Sequence, residues 1–253
     1  MFSQTGGFET TNLVVSISLV ALLLLSSKMA NILDRNGTIA ATVIGLAVGL
    51  IGHWSWLIIL LAFLASSHKA TNWRWEDKKA SGFCESNDGS RGWGNVVANG
   101  GLPALIAIFA YYQSDWSGFF WVFSAGVAVA AADTWASEFG CLDDRVRMIT
   151  TFKKCEAGIN GGFSPTGQGA ALAGSILIGA VALIAGWLPG NGDFFLGLQI
   201  AGLVAVIGWI GCQIDSVLGA VLENRGLMTK GTVNAAAISC GMLLAYWLIN
   251  LYF

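Results

Sequence analysis

Two aspartates lie inside long apolar stretches of this 253-residue sequence. Asp133 follows Ala131 and Ala132, and Asp215 follows Ile214. A carboxylate in an apolar helix is costly unless it is paired, hydrated or bound to a metal, so both residues indicate a functional site. Two carboxylates on helices that pack together could share Mg²⁺, which proteins hold with one or two carboxylates plus substrate phosphates. A proton or sodium pathway, or hydrogen bonding for packing alone, would use the same residues.

Helical phase places each aspartate on a face of small residues, because positions three and four apart lie on one side of a helix. Such a face lets two helices approach closely, so both carboxyl groups are expected to point toward packed interfaces. The two predicted faces consist of Gly126, Ala130, Asp133 and Ser137 in one helix and of Gly208, Gly211, Asp215 and Gly219 in the other.

The segment 149–169, between the two aspartates, is rich in Lys, Gly, Asn and Thr. Glycines let backbone N–H groups approach an anion, lysines add positive charge, and the start of the next helix adds a positive dipole end. The segment is not a Walker A motif, because Gly167 is followed by Gln168 rather than by Lys. A phosphate-binding loop and an ordinary linker are the two readings of this pattern.

A second polar group closes the earlier loop. Asn95 and Asn99 are i,i+4 neighbours on one predicted helix face, and Arg91 precedes them. The amides could hold ribose or phosphate oxygens, and they could equally cross-link helices. Asn234, at the start of the last apolar segment, is a weaker candidate, and the charged segment 76–79 is interpreted as a solvated face.

The elements that must position these residues are membrane-spanning helices. Hydrophobic residue types make up 55% of the sequence and charged ones 11%, far from the roughly 25% charged residues of a soluble domain. With about 20 apolar residues per span, the sequence predicts an all-α polytopic transmembrane helix bundle of about eight spans in one domain, 1–253. The predicted spans are 10–27, 37–52, 54–68, 93–113, 117–139, 167–188, 194–222 and 232–252. The second and third are separated only by Gly52-His53, which indicates a tight helical hairpin.

With eight spans, all thirteen Lys and Arg residues fall on one side. Basic residues of short loops are retained in the cytoplasm, so the loops 69–92 and 140–166 are expected to form a cytoplasmic active site, with both termini on the opposite side. The net charge of −2 gives no case for nucleic acid as a partner. The five cysteines contain no CxxC pair and are expected to be free thiols.

Several of these segments together resemble the phytyl-phosphate kinase family of integral membrane proteins. The similarity lies in residues 133–138, 149–154 and 158–164, and further blocks are 95–101 and 215–220. The order of an Asp, a Lys and a Gly-containing loop also resembles, more distantly, the dolichol and phytol kinases that use CTP and the phosphatidate cytidylyltransferases.

The resemblance implies phosphoryl transfer from a nucleoside triphosphate, with CTP as the expected donor. The acceptor would be an isoprenoid monophosphate, phytyl or geranylgeranyl phosphate, and the diphosphate formed would serve tocopherol or related prenyl-lipid synthesis. Asp133, with Glu138 or Asp215, would hold Mg²⁺, and Lys153 and Lys154 would neutralise developing charge. The expected nucleotide- and phosphate-binding residues are Arg91, Asn95, Asn99, Thr150, Thr151, Asn160, Gly161, Gly162 and Ser164.

Two other functions use the same residues. A lipid-phosphate nucleotidyltransferase would release pyrophosphate instead of a nucleoside diphosphate, and the loop motif does not separate the two reactions. A proton- or sodium-coupled transporter would use the two aspartates as ion sites, and inverted repeats would favour it. Only a faint echo of such a repeat exists, between 133–134 and 215–216. The sequence leaves the oligomeric state open.

Overall fold

The structure is a computed structural model that describes residues 6–84, 86, 88–188 and 193–253. Residues 1–5 of the predicted domain, and positions 85 and 87 of the predicted 69–92 loop, lie outside the described residues. The α-helices within the described ranges are α1 (Thr10–Ala30), α2 (Arg35–Leu46), α3 (Trp54–Asn72), α4 (Trp75–Ala80), α5 (Trp93–Gln113), α6 (Trp116–Gly140), α7 (Pro165–Trp187), α8 (Phe194–Val221) and α9 (Lys230–Tyr252).

All eight predicted spans coincide with long helices, so the prediction of an all-α polytopic bundle is confirmed. Within the described ranges, seven helices are long and apolar enough to cross a membrane. The exception among the eight is α3, whose loop-proximal part carries the polar run 66–69. Its other half lies in the core, where Trp56, Leu57 and Ile59 are fully buried.

The predicted hairpin at Gly52-His53 is present. A π-helical segment, Ala47–Gly52, extends α2, and α3 begins at Trp54 directly after His53. The carbonyl of Gly49 in this segment accepts hydrogen bonds from Asn12 Nδ2 at 2.9 Å and Ser16 Oγ at 2.9 Å, both on α1. These bonds satisfy a backbone group that membrane lipid could not. A side chain at Gly49 would clash, since its Cβ would lie 2.8 Å from Ser16 Cβ.

Helix α6 is the centre of the bundle and packs on α3, α5, α7, α8 and α9. Its residues 120–132 are all buried. Close approach depends on small residues: a Cβ at Gly126 would lie 2.9 Å from Met242 Cγ on α9, and one at Gly208 would lie 2.7 Å from Ser175 Cβ on α7. The predicted small-residue faces therefore pack against neighbouring helices, and they bring the segments around Asp133 and Asp215 together.

The connections 31–34, 73–92, 141–164 and 222–229 lie at one end of the bundle, here called the loop end. All thirteen Lys and Arg residues lie in or beside these connections, which confirms their predicted one-sided distribution. The connection 141–164 contains an antiparallel pair of short strands, β1 (Arg147–Met148) and β2 (Gly162–Phe163), with Arg147 opposite Phe163. The assignment of the loop end to the cytoplasm stays a prediction.

Candidate functional site

The side chains of Asp133 and Asp215 meet near the loop end, where α6 packs on α8. The two carboxyl groups are close enough to interact directly, and both line the same cavity. Both residues are half-buried, and the part of each that is accessible faces a polar cavity of about 160 Å³. This cavity is here called the acidic cavity. Two like-charged groups at such short range favour a proton, a cation or a cationic ligand between them.

The glycine-containing loop lies against the acidic cavity. Asn160, Gly161, Gly162 and Ser164 all line it. Gly161 has a φ of +83°, and a Cβ there would lie 2.8 Å from the carbonyl oxygen of Ser216 on α8. Only glycine therefore allows the loop to lie directly on α8.

The N-terminus of α7 opens beside the same cavity. Ser164 caps the helix, since its Oγ accepts from Gly167 N at 3.1 Å, and Gly167 and Gln168 line the cavity. Asp143 fixes the first turn by accepting from Thr166 N at 3.2 Å. Hydrogen bonds from Arg145 hold the pKa of Asp143 well below its usual range, so this carboxylate stays charged. Loop glycines and a helix N-terminus are the elements from which proteins build phosphate sites.

The positive charge nearest the acidic cavity does not come from the predicted lysines. Lys153 and Lys154 are exposed, as are Thr150 and Thr151, and all four lie on the outer part of the loop rather than in the cavity wall. Lys230, the first residue of α9, lines the cavity instead. The proximity of Lys230 to the cavity could not be predicted from the sequence, because it depends on how α9 packs against α8.

Glu138 faces a different cavity from Asp133. Five residues along a helix turn a side chain by about 140°, and the carboxylate of Glu138 accepts from Lys78 Nζ at 2.7 Å and Thr71 Oγ1 at 2.6 Å. Arg91 Nη2 lies 4.0 Å from it. These groups line a second polar cavity, of about 450 Å³, called here the paired cavity. The structure thus places Asp215, and not Glu138, beside Asp133.

The interpretation of 76–79 as a solvated face is wrong for Lys78. This side chain is 1% exposed and donates to the carbonyls of Ala70 at 3.0 Å and Thr71 at 2.6 Å as well as to Glu138. A buried ammonium with three acceptors is fully satisfied. The short helix α4 turns Lys78 inward, and nothing in the local sequence marks it out from Lys79.

The predicted amides of Asn95 and Asn99 lie on α5, which packs against α9. Asn99 is buried, and its Oδ1 lies 3.4 Å from the amide of Asn234 on α9. When the Asn234 amide is oriented to donate toward acceptors, its nitrogen lies 3.2 Å from Asp215 Oδ2 and 3.0 Å from the carbonyl oxygen of Lys230. Asn95 lines the paired cavity. Asn234, a weak candidate from sequence, is therefore in direct contact with the acidic pair.

The two carboxyl groups of the acidic cavity are of the type that Mg²⁺ uses in proteins. Among the described residues, no group of three or more His, Cys, Asp and Glu side chains could hold a metal. Mg²⁺ commonly uses one or two carboxylates and completes its shell with water and substrate phosphates. Asp133 and Asp215 would supply the carboxylates, and the loop beside them supplies donors for phosphate.

Fold and site together define a polytopic integral membrane protein with an acidic pair beneath polar loops at one end. The chain belongs to the family described as Integral membrane protein DUF92, whose model matches residues 18–245.

Three relatives cover most of this chain. It is 32% identical over 230 residues to "Uncharacterized membrane protein MJ0933" of Methanocaldococcus jannaschii, covering 90% of this chain and 91% of that protein. It is 30% identical over 232 residues to "Protein PGR" of Arabidopsis thaliana, covering 85% and 80%. It is 24% identical over 241 residues to "Protein VTE6, chloroplastic" of the same plant, covering 91% and 69%. No solved structure matches the chain.

Proposed function

We propose that the protein is a membrane-embedded kinase that transfers the terminal phosphoryl group of a nucleoside triphosphate, CTP, to an isoprenoid monophosphate. The product would be the isoprenoid diphosphate used for tocopherol or related prenyl lipids. The observation that carries the proposal is the meeting of Asp133 and Asp215 beneath a glycine loop and at the N-terminus of α7. The resemblance to the phytyl-phosphate kinase family supplies the substrate class.

The roles of the residues follow from what phosphoryl transfer requires, which is positioning and neutralisation of charge. Asp133 and Asp215 would hold Mg²⁺. A bound Mg²⁺ would supply neutralisation of the donor phosphates. The backbone N–H of Gly161 would donate to a phosphate oxygen, whereas that of Gly162 already donates to the carbonyl of Ile159 at 2.9 Å, which removes Gly162 from the predicted donors. Ser164 Oγ already accepts from Gly167 N, which leaves its hydroxyl hydrogen to donate to a ligand.

Basic side chains lie both in the acidic cavity and on the exposed side of the glycine-containing loop. Lys230 lines the acidic cavity and is placed to stabilise charge on the phosphates. Lys153 and Lys154, on the exposed side of the loop, are placed to attract an anionic nucleotide from solution. This division modifies the role predicted for the two lysines.

The reaction needs no general base, because the acceptor is already a phosphate anion. An oxygen of the acceptor phosphate forms a bond to the γ-phosphorus of CTP. The bond from that phosphorus to the β,γ-bridging oxygen breaks, and CDP leaves with the electron pair. A nucleotidyltransferase would instead form a bond to the α-phosphorus and release pyrophosphate.

The test uses the purified protein in lipid nanodiscs with CTP, ATP, GTP and UTP labelled at the γ-phosphate. Label should pass from CTP to phytyl and geranylgeranyl phosphates in the presence of Mg²⁺, and Asp133→Asn should lower the rate of transfer by about 10²–10³-fold. CTP labelled at the α-phosphate is the matched control. Label from the α-position in the lipid would favour the nucleotidyltransferase, and no transfer from any donor would favour an ion-coupled transporter.

A further inference from the structure

We propose that the isoprenoid chain of the acceptor binds in an apolar cleft between α1, α2, α3 and α5, with its phosphate at Arg91 and Asn95. This inference rests on the proposed function, because it assigns the two substrates of that reaction to different parts of the molecule. The nucleotide would occupy the acidic cavity, and the lipid would approach it through the cleft.

The wall of the cleft has the chemistry of a hydrocarbon site. It is lined by side chains from four helices that carry no hydrogen-bonding group, including Leu23, Ile44, Leu57, Leu60, Leu64 and Val96. Gly45 and Gly100 leave room between α2 and α5. Apolar surface of this kind favours an isoprenoid chain and disfavours a nucleotide, whose polar groups would lose their hydrogen bonds to water.

The end of the cleft is polar and cationic. Arg91, Asn95 and Asn99 line it, and Arg91 and Asn95 also line the paired cavity at the loop end. The Arg91 side chain is 12% exposed and donates to Thr71 Oγ1 at 3.1 Å. A planar guanidinium with five donors binds phosphate with defined geometry. An apolar cleft that ends at an arginine and an amide is complementary to a lipid with a single phosphate.

The polar end of the cleft lies toward the loop end of the bundle, near which the acidic pair is also found. Arg91 Nη2 lies 4.0 Å from the carboxylate of Glu138, which is on the same helix, α6, as Asp133. On the other side, the Asn234 amide nitrogen donates either to Asn99 Oδ1 at 3.4 Å or, with the amide turned over, to Asp215 Oδ2 at 3.2 Å, so this side chain lies between Asn99 and the acidic pair. A phosphate at Arg91 would therefore lie at the end of the cleft that Asn99 and, through it, Asn234 connect to the acidic pair.

The cleft can be narrowed at Gly100 without a backbone clash. A Cβ at Gly100 would lie 3.4 Å from Ile44 Cγ2, which is ordinary contact, and the rest of a leucine would enter the cleft. Gly101→Leu is the matched control, because a Cβ there meets only Val97 Cγ1, at 3.6 Å on its own helix. Both changes replace a helical glycine by a better helix former.

Kinetics with acceptors of two lengths tests the assignment. Gly100→Leu should raise the KM for geranylgeranyl phosphate at least fivefold, and leave the KM for CTP and for the short acceptor dimethylallyl phosphate within twofold of wild type. Gly101→Leu should behave as wild type. An unchanged KM for the long acceptor, or an equal rise for both acceptors, would overturn the assignment.

Photolabelling separates this inference from the proposed function, because it needs no turnover and uses the wild-type protein. A phytyl phosphate analogue with a diazirine in its chain should label peptides of α2 and α5, and phytyl phosphate should displace it better than phytol does. Label elsewhere, or equal displacement by phytol, would refute the phosphate-lipid cleft. Labelling in the cleft without phosphoryl transfer by the wild type would refute only the kinase.

Discussion

The acidic cavity and the paired cavity both lie near the loop end and use acids of the same helix, α6, in opposite ways. In the acidic cavity the carboxyl group of Asp133 faces another carboxyl group, that of Asp215. In the paired cavity the carboxylate of Glu138 faces the ammonium of Lys78 at 2.7 Å and the guanidinium of Arg91 at 4.0 Å. Asp133 and Glu138 are thus five positions apart on α6, yet Asp133 faces another acid and Glu138 faces two basic groups.

The difference indicates which acid would be stabilised by a bound cation. Two carboxyl groups in contact repel when both are ionised, so the acidic pair gains stability from a bound cation. Glu138 already has its cation, and a buried Lys without it would be left uncompensated. We therefore expect the acidic pair to serve activity at some cost in stability, and the Lys78–Glu138 pair to serve stability.

The largest expected effect breaks the acidic pair. Asp133→Asn and Asp215→Asn should each lower phosphoryl transfer by about 10²–10³-fold, the range seen when one transition-state stabilising group is removed. The melting temperature of either variant should equal or exceed that of the wild type, because repulsion is relieved. Initial rates and thermal unfolding in detergent measure both. A destabilised Asp215→Asn variant with full activity would make this pair a packing feature.

Breaking the Lys78–Glu138 pair should have the opposite effect, a loss of stability with little loss of activity. Glu138→Gln leaves Lys78 buried without its counter-charge, and loss of one partner of a buried pair costs about 3–5 kcal/mol, with the lower end expected for the partly exposed Glu138. The melting temperature should fall, while the folded fraction keeps its rate within tenfold. The double change Lys78→Met with Glu138→Leu should recover stability. A loss of activity without a loss of stability would place Glu138 in the catalytic machinery.

A smaller effect is expected when the loop is lifted from the acidic cavity. Gly161→Ala places a side chain at a φ of +83° and 2.8 Å from Ser216 O, a conformation that costs on the order of 1–3 kcal/mol. The KM for CTP should rise several-fold while that for the lipid stays unchanged. Gly226→Ala is the matched control, since Gly226 has a φ of +70° with nothing within 4 Å of its Cβ. Equal behaviour of the two variants would argue against a phosphate-binding loop.

The smallest effect concerns the exposed lysines. Lys153→Ala with Lys154→Ala should raise the KM for CTP two- to threefold at low salt and leave kcat unchanged, because surface charges act at long range and are screened. The difference should vanish at high salt. A fall in kcat that salt does not change would return these lysines to the reaction centre, as the sequence first suggested.

Most of the fold is predictable because membrane helices are set by local composition. The apolar segments predict the eight long helices, and Gly52-His53 predicts the hairpin between α2 and α3. The phase of Asp133 and Asp215 also predicts that both point toward packed interfaces, but it does not say which helices meet there, since Gly126 packs on α9 and Gly208 on both α6 and α7. These features depend on spacing within one helix.

The remaining parts of the site depend on contacts between distant segments. Lys78 and Lys79 are neighbours of the same type, and only the position of α4 against α3 and α6 buries one of them. Lys230 reaches the acidic cavity through the packing of α9, and Lys153 and Lys154 point away because β1 and β2 fix the loop. Helical phase alone predicts that Glu138 and Asp133 point in different directions. It does not predict the partners of Glu138, which come from α3 and α4.

The dependence of phosphoryl transfer on free Mg²⁺ tests the central claim, that the acidic pair holds the metal and nucleotide. Rates of γ-phosphate transfer from CTP to geranylgeranyl phosphate would be measured over a Mg²⁺ titration for wild type, Asp215→Asn and Glu138→Gln. We predict that the half-saturating Mg²⁺ concentration rises in Asp215→Asn by at least the roughly 10–100-fold known for loss of an outer-shell partner of a metal ligand, and stays unchanged in Glu138→Gln. Identical Mg²⁺ curves for all three proteins would contradict the account.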